Sequence, residues 1–211
     1  MKIEKLPKHH KGIFCDGVLT MQSFNITKSL PPMFVNEQFD RIVEIGTAFG
    51  GLSLFIRKYL QFEGDIITYD IKDSPAEHPS YSHADFKTDP SVNATQQLEE
   101  CNIDFRIKDI FHIENKLEIA KLLRSPGKCL IICDGGNKAE EIKAFAQYLK
   151  AGDIILGHDY YKDGRIDPNI WPECELTLNM IQSALKTAGV DYENKYTEKF
   201  VDSVLFVGIK K

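Results

Sequence analysis

The sequence lacks the features that mark membrane, secreted and nucleic-acid-binding chains. No apolar run approaches the roughly 20 residues that a membrane helix needs, and residues 1–17 are basic without the apolar core of a secretory signal. Basic side chains are not in excess, since 26 Lys and Arg stand against 31 Asp and Glu, for a net charge of −5. We therefore expect neither a membrane nor a nonspecific nucleic-acid partner.

Cysteine is sparse and has no metal-binding or redox spacing. The five cysteines form no C-x-x-C pair, and two of them lie in the apolar run at 128–134. This pattern predicts buried, reduced thiols in a cytoplasmic protein rather than a disulfide or a zinc site. Whether the chain forms a homo-oligomer is left open, because exposed apolar surface is invisible in a sequence.

From residue 41 onward, buried strands alternate with amphipathic helices. A chain of 211 residues with 27% charged side chains has the size and composition of one globular domain. Apolar runs rich in β-branched residues predict strands at 41–46, 65–71, 103–110, 128–134 and 153–159. Helical periodicity and capping signals predict helices at 52–62, 91–102, 111–125, 137–150 and 173–189. Residues 191–211 predict two more strands with a turn at 198–202.

Three segments fall outside this alternation. Residues 1–40 predict an irregular arm with one short helix near 21–30, since Pro31 and Pro32 break the pattern. Residues 72–90 are polar and rich in Pro, Ser and His, and they predict a long loop. The loop that contains Trp171 either covers a ligand or lies on the surface with one aromatic anchor.

Alternating strands and helices predict an α/β fold, a doubly wound and mostly parallel sheet with helices on both faces. The last two strands have no helix between them and are expected to pair antiparallel. In such sheets ligands bind beyond the carboxyl ends of the strands, where the strand order reverses. Acidic residues stand at most of these strand ends, and this clustering is the most informative feature of the sequence.

The first strand end reads E-x-G-x-x-x-G, with Glu44, Gly46 and Gly50. It is not the G-x-G-x-x-G that binds a pyrophosphate. A carboxylate at this position repels phosphates and attracts a cationic ligand or an ammonium donor. The alternative is that the glycines only let the next helix pack on the sheet.

The second and third strands end in Asp70 and Asp109. A carboxylate at the tip of the second strand can accept both hydroxyls of a ribose, and Asp109 stands where an adenine amino group could donate to it. The alternatives are an Asx turn at Asp70 and a helix N-cap at Asp109.

Together, VEIGTAFGG, ITYD and RIKDIF resemble the cofactor half of class I S-adenosylmethionine-dependent methyltransferases. The resemblance covers residues 41–211 as a cofactor-binding domain, implies the strand order 3-2-1-4-5-7-6 with the last strand antiparallel, and makes residues 1–40 an arm that caps the substrate. S-adenosylmethionine is cationic and has no phosphate, which agrees with an acidic cradle. The cofactor residues that the resemblance implies are Glu44, Gly46, Thr47, Gly50, Asp70, Ile71, Asp109, Ile110 and Asp134.

The fourth and fifth strands end in Asp134 and in His158-Asp159. If these strands are neighbours, two carboxylates and an imidazole meet beside the methyl donor. That set suits Mg²⁺ or Mn²⁺, which would bind a substrate hydroxyl and lower its pKa. The alternative is that the aspartates cap helices and that His158 packs in the interior.

The spacing is similar to that of the divalent-metal-dependent O-methyltransferases, which include catechol O-methyltransferase and the cephalosporin-hydroxylase-like and macrolide-sugar branches. It departs from the macrolide-sugar branch by having His158-Asp159 in place of an acidic pair, and from the cephalosporin-hydroxylase-like branch by having no His in 135–138. The resemblance implies O-methylation of a small hydroxylated acceptor, a sugar, a catechol or a natural product. The candidates for the general base are Lys138, His158 and Tyr160.

Two other interpretations remain open at the level of the sequence. A hydroxylase or an aminopropyl transferase could use the same fold, although a hydroxylase would want two histidines and one carboxylate around iron. A non-catalytic cofactor-binding module would keep the cradle without metal binding or turnover.

Overall fold

Strands that are apolar on both faces build the centre of the structure. The structure is a computed structural model that describes residues 2–5, 12–76, 92–161 and 176–211. Its strands are β1 (Ile3–Lys5), β2 (Ile13–Cys15), β3 (Val18–Leu19), β4 (Arg41–Ile45), β5 (Asp65–Asp70), β6 (Ile103–Ile107), β7 (Cys129–Cys133), β8 (Ile154–His158), β9 (Val190–Asp191) and β10 (Leu205–Lys210).

Helices follow most of the strands. They are α1 (Ile26–Glu37), α2 (Gly51–Leu54, continued by a π-helical turn, Phe55–Tyr59), α3 (Ala94–Glu100), α4 (Ile113–Arg124), α5 (Lys138–Phe145, continued by a 3₁₀ turn, Ala146–Tyr148), α6 (Leu178–Thr187) and α7 (Thr197–Val201). Among the described residues, no helix has the length and apolar character needed to cross a membrane.

Seven strands form one sheet in the order β6-β5-β4-β7-β8-β10-β9. The strands β4 to β8 run parallel, and β10 runs antiparallel to both β8 and β9. Counted from β4, this is the predicted order 3-2-1-4-5-7-6, which is therefore confirmed. The order reverses between β4 and β7, so their carboxyl ends define the place where a ligand of such a sheet binds.

Side chains of successive strand residues point to opposite faces and build two cores. Ile42 and Leu130 pack with α1, α2, α3 and α7 on one face, whereas Val43 and Ile131 pack with α4, α5 and α6 on the other. The period of two along each strand explains this division. The predicted doubly wound α/β fold is thus confirmed.

The N-terminal segment is more regular than its sequence predicts. The strands β1, β2 and β3 form a small antiparallel sheet, and α1 runs through both Pro31 and Pro32. The prediction that these prolines break the chain was wrong. Each proline removes one intrahelical hydrogen bond and crowds the carbonyl four residues before it. The two carbonyls concerned belong to Thr27 and Lys28, which lie at least partly exposed, so water can replace the missing donors.

The C-terminal region also differs from its prediction. The helix predicted from residue 173 begins at Leu178 within the described residues, and the predicted turn at 198–202 lies mostly in the short helix α7. The second difference is explained by Asn194, whose side-chain amide donates to the carbonyls of Asp191 and Val207, at 3.1 and 3.0 Å. These bonds end the pairing of β9 after two residues and start a turn.

Some predictions fall outside the described residues. They are the loop around Trp171, the greater part of the loop at 72–90, and the start of the helix predicted at residue 91.

Glu37, a mostly buried carboxylate at the end of α1, joins this helix to Lys128 just before the start of β7, away from the carboxyl ends of the strands. Glu37 accepts hydrogen bonds from Lys128 and Lys195, at 2.5 and 2.7 Å, and from the Tyr196 hydroxyl. Burial alone would raise the pKa of Glu37, but these three partners outweigh it and lower the pKa to about 2. The charged form of Glu37 therefore stabilises the fold at neutral pH.

We expect Glu37→Gln to lower the free energy of unfolding at pH 7 by about 1–3 kcal/mol, because the partly buried Lys128 ammonium loses its counter-ion and the Tyr196 hydroxyl loses a charged acceptor. The depressed pKa makes this contribution fully present above about 4.5 and lost as the pH falls towards 2. Urea unfolding at pH 7 and pH 3 checks both statements, with the exposed Glu63→Gln as the control. An equal loss of stability at both pH values would contradict them.

Candidate functional site

The loops after β4 and β7 are in direct backbone contact at the carboxyl edge of the sheet. The Gly46 N–H donates to the carbonyl of Tyr69 at the end of β5, at 2.8 Å, and the Asp134 N–H donates to the carbonyl of Ile45, at 2.8 Å. A Cβ at Gly46 would lie 2.3 Å from the carbonyl oxygen of Asp134, and the φ angle of Gly46 is 88°. Only glycine satisfies both conditions.

Glu44 is a buried carboxylate with one oxygen that lacks a partner. Glu44 is a residue of β4 and is 1% exposed. Oε2 accepts hydrogen bonds from the hydroxyls of Ser53 and Thr68, whereas Oε1 has no hydrogen-bond partner within the described parts of the chain. A buried acceptor without a donor is costly unless a ligand supplies one.

Burial raises the pKa of Glu44 to about 7, although the hydroxyls of Ser53 and Thr68 oppose the shift. The negative charges of Asp134 and Asp70 contribute to the same rise. A cation placed beside these three carboxylates would reverse the shift. The site therefore favours a positively charged ligand.

Asp70, at the end of β5, holds the loop that follows β4. Its Oδ2 accepts from the Ala48 N–H at 2.9 Å, and its Oδ1 accepts from the Ile71 N–H at 2.8 Å. Burial raises the pKa of this carboxyl, and the backbone donors oppose that shift. Each carboxylate oxygen has a second lone-pair direction, so Asp70 can hold the loop and accept from a ligand hydroxyl as well.

Asp109 lies at the outer part of the same edge, after the edge strand β6. Its side chain is 46% exposed, and its Oδ1 accepts from the Phe111 N–H at 2.9 Å. This bond organises the turn before α4. Of the flanking predicted residues, Ile110 is buried in the core whereas Ile71 is exposed.

Asp134, His158 and Asp159 come together, as their positions after neighbouring strands predict. One side-chain donor atom from each lies within 4.8 Å of the others. The His158 Nδ1 is 2.8 Å from the Asp134 Oδ1 and 3.6 Å from the Asp159 Oδ1. An ionised carboxylate only accepts, so we assign the proton of this bond to Nδ1, and in the neutral imidazole the lone pair is then on Nε2.

The pKa of His158 reflects two opposed effects. Burial lowers the pKa of the imidazole, but the carboxylates of Asp134 and Asp159 outweigh it and raise the pKa above its ordinary value. Asp159 itself has a φ angle of 55°, which is uncommon for a residue with a Cβ. Such strained residues concentrate at functional sites.

The other two candidates for the general base lie in different surroundings. The ammonium of Lys138 lies 3.1 Å from the Asp159 Oδ2 and 3.9 Å from the Asp134 Oδ1, and it donates to the Gly135 carbonyl at 2.9 Å. Tyr160 is buried with its ring edge-on to Phe206, at a centroid distance of 5.5 Å. Of these two, only Lys138 has a described contact with the carboxylates.

Two residues of the site escaped the sequence interpretation. Gln22, from the N-terminal segment, is 1% exposed and donates through Nε2 to the Asp134 Oδ2 at 2.5 Å. Glu141, in α5, accepts from the N–H groups of Gly135 and Asn137, both at 3.2 Å. The capping pattern that begins at Asn137 points to Glu140, three residues on, rather than to Glu141, and nothing in the sequence connects Gln22 with a residue 112 positions away.

Comparison with known proteins supports the fold. No protein-family model matches the sequence, and no curated protein matches it either. A Klebsiella pneumoniae protein, whose assignment as an O-methyltransferase is itself an inference, is 16% identical with a TM-score of 0.54, over 90% of this chain and 81% of that one. Geranyl diphosphate C-methyltransferase from Streptomyces coelicolor is 10% identical with a TM-score of 0.50, over 99% and 94%.

Other matched structures are longer than this chain. Human N-acetylserotonin methyltransferase is 15% identical with a TM-score of 0.48, and the match covers 88% of this chain but 51% of that one. Two structures of CmcI are covered to 56% and 66%. At these identities the likeness concerns the fold, which is the α/β Rossmann-like fold of S-adenosylmethionine-dependent methyltransferases.

We expect Glu44→Gln to change how stability depends on pH. Since the pKa of Glu44 is raised to about 7 in the folded state, its contribution is fully present below about 4.5 and is lost as the pH rises through 7. The variant should match the wild type near pH 5 and exceed it by about 1–3 kcal/mol at pH 8.

Urea unfolding from pH 5 to pH 8 measures this difference. Glu141, whose pKa burial also raises to about 7, is present in both proteins, so its effect cancels. Glu140→Gln, on the exposed side of α5, is the matched control. A stability difference that stays constant with pH would show that Glu44 is not a buried acid.

Proposed function

We propose that this protein is an S-adenosylmethionine-dependent methyltransferase that methylates an oxygen of a small hydroxylated acceptor, with help from Mg²⁺ or Mn²⁺. The observation that carries the proposal is the buried Glu44 carboxylate with its unpartnered Oε1, at the ligand-binding edge of a methyltransferase fold. A sulfonium and an ammonium group would both be attracted by Glu44, Asp70 and Asp134.

The cofactor cradle follows from the strand ends. In this proposal Glu44, Gly46, Thr47 and Gly50 face the methionine and the ribose, and Asp70 accepts from the ribose hydroxyls. Asp109 lies at the adenine end with Ile71 and Ile110, and Asp134 lies beside the methyl group. The close approach of the backbone at Gly46 and the spare lone pairs of Asp70 support this arrangement.

The residues at the ends of β7 and β8 fit a divalent cation. Asp134, His158 and Asp159 offer two carboxylates and one imidazole, a donor set that first-row divalent ions accept. A bound ion of this kind lowers the pKa of a coordinated hydroxyl. This described cluster contains one histidine, which favours this function over a hydroxylase with two histidines around iron.

The chain's own residues would orient the reaction. The Asp134 carboxylate fixes the His158 ring through Nδ1, so Nε2 keeps a fixed direction. Only interactions that strengthen in the transition state accelerate transfer, so alignment of the acceptor oxygen with the methyl group should dominate. Candidate residues for accepting the hydroxyl proton are Lys138, His158 and Tyr160, and His158 cannot be both a metal ligand and the base.

The N-terminal segment is proposed as the cap over the acceptor, with residues 41–211 as the cofactor-binding domain. Gln22 supports this division, because it brings a buried amide to Asp134 from outside the sheet. The expected partner of this cytoplasmic protein is a small molecule, and neither a nucleic acid nor a membrane is expected to bind it.

We expect calorimetry to detect binding of S-adenosylmethionine and of S-adenosylhomocysteine to the wild type. Glu44→Gln should weaken S-adenosylmethionine about tenfold, because it removes a negative charge next to a cationic ligand without changing the side chain's shape. Glu140→Gln is the control and should bind like the wild type. If neither compound binds the wild type, the proposal fails.

A second prediction concerns the metal. Asp159→Ala should keep the affinity for S-adenosylhomocysteine within about twofold but should lose Mg²⁺-stimulated methyl transfer to a panel of catechols, phenols and hexoses. Methyl transfer from labelled S-adenosylmethionine, with and without chelator, measures this. Full turnover by the wild type in excess chelator would remove the metal from the proposal.

A further inference from the structure

The ammonium of Lys138 lies among the side chains of the candidate metal cluster. Lys138 is 4% exposed and begins α5 directly after the β7 loop. Its Nζ lies 3.1 Å from the Asp159 Oδ2 and 3.9 Å from the Asp134 Oδ1. One cationic group of the chain itself therefore already lies within ion-pair distance of both carboxylates that would bind a divalent ion.

Helix geometry places Lys138 there. Asn137 caps α5 by accepting from the Glu140 N–H at 3.3 Å, and Glu141 in the same helix holds the N–H groups of Gly135 and Asn137. The Gly135 carbonyl in turn accepts from the Lys138 Nζ at 2.9 Å. The capped loop thus directs the side chain towards Asp134 and Asp159 rather than into solvent.

A second observation indicates that the cluster faces a ligand. The Nε2 of Gln22 donates to Asp134, and the Oε1 of the same amide is buried and has no partner among the residues that the structure describes. A buried amide oxygen needs a hydrogen-bond donor or a cation, which a ligand bound at the cluster would supply.

We infer that Lys138 and a divalent cation compete for Asp134 and Asp159, so that the metal binds only by displacing the ammonium. Two cations cannot share one carboxylate oxygen at about 3 Å without strong repulsion. This inference rests on the proposed function, because it concerns the same metal site. Its consequence is that the wild type binds divalent ions weakly and that the ammonium serves as the default counter-ion of the site.

The test compares Mn²⁺ affinity, by electron paramagnetic resonance and calorimetry, in the wild type and in Lys138→Met. Methionine is similar in length and uncharged, so the variant should bind Mn²⁺ about tenfold more tightly or better. Mn²⁺ should also raise the melting temperature of the variant more than that of the wild type. Lys143→Met, on the same helix and paired with the exposed Glu140, is the matched control and should leave Mn²⁺ affinity unchanged.

Equal or weaker Mn²⁺ binding by Lys138→Met overturns the inference, and so does the absence of Mn²⁺ binding in both proteins. Lys138→Gln replaces the methionine variant if that variant does not fold. Binding of S-adenosylhomocysteine to the same preparations separates the two claims. If S-adenosylhomocysteine binds but the wild type and Lys138→Met have the same Mn²⁺ affinity, the methyltransferase proposal stands and the competition is wrong. If Lys138→Met binds Mn²⁺ more tightly but S-adenosylhomocysteine does not bind, the competition stands and the methyltransferase proposal is wrong.

Discussion

The close backbone contact between Gly46 and Asp134 is the constraint on which the whole site depends. It brings the loop after β4 against the loop after β7, at the point where the strand order reverses. Because of it, Asp134 lies near enough to Glu44 for its negative charge to raise the pKa of the Glu44 carboxyl. The acidic residues therefore meet because of the strand order and because Gly46 has no side chain.

The carboxylates at the carboxyl ends of the strands differ in which groups of the chain compensate their charge. Among the described residues no cation pairs with the buried Glu44, Asp70 is bound by backbone N–H groups, and Asp134 and Asp159 share the ammonium of Lys138. The surroundings of Glu44 are where the cofactor's positive charge is proposed. The surroundings of Asp134 and Asp159 are where an ion or an acceptor is proposed.

The sheet could be predicted from the sequence because its information is local. Runs such as RIVEIG and KCLIIC reveal buried strands by composition, and the order of strands and helices then restricts the topology. The meeting of Asp134, His158 and Asp159 could be predicted for the same reason, since neighbouring parallel strands end at one edge. The hydrogen bonds from Ser53 and Thr68 to Glu44 could not be predicted, because a Ser or a Thr at these positions of the sequence is equally compatible with a role in packing alone.

The remaining errors arise where tertiary contacts outweigh local preference. Pro31 and Pro32 predict a break, yet the apolar face of α1 packs on the sheet and the helix continues. Residues 192–204 predict a strand and a turn, but the side chain of Asn194 bonds to the backbone of β10 and redirects the chain. Gln22 reaches Asp134 only through the fold of the N-terminal strands, which no spacing in the sequence reveals.

The start of α2 has a consequence for how such a protein can diversify. A Cβ at Gly51 would lie 2.3 Å from the carbonyl oxygen of Leu19, so β3 packs directly against the start of α2. Replacing the segment before residue 40 with one from another protein of this fold would therefore also disturb α2 and the loop between β4 and α2. Chimeras should be designed so that β3 and Gly51 come from the same protein.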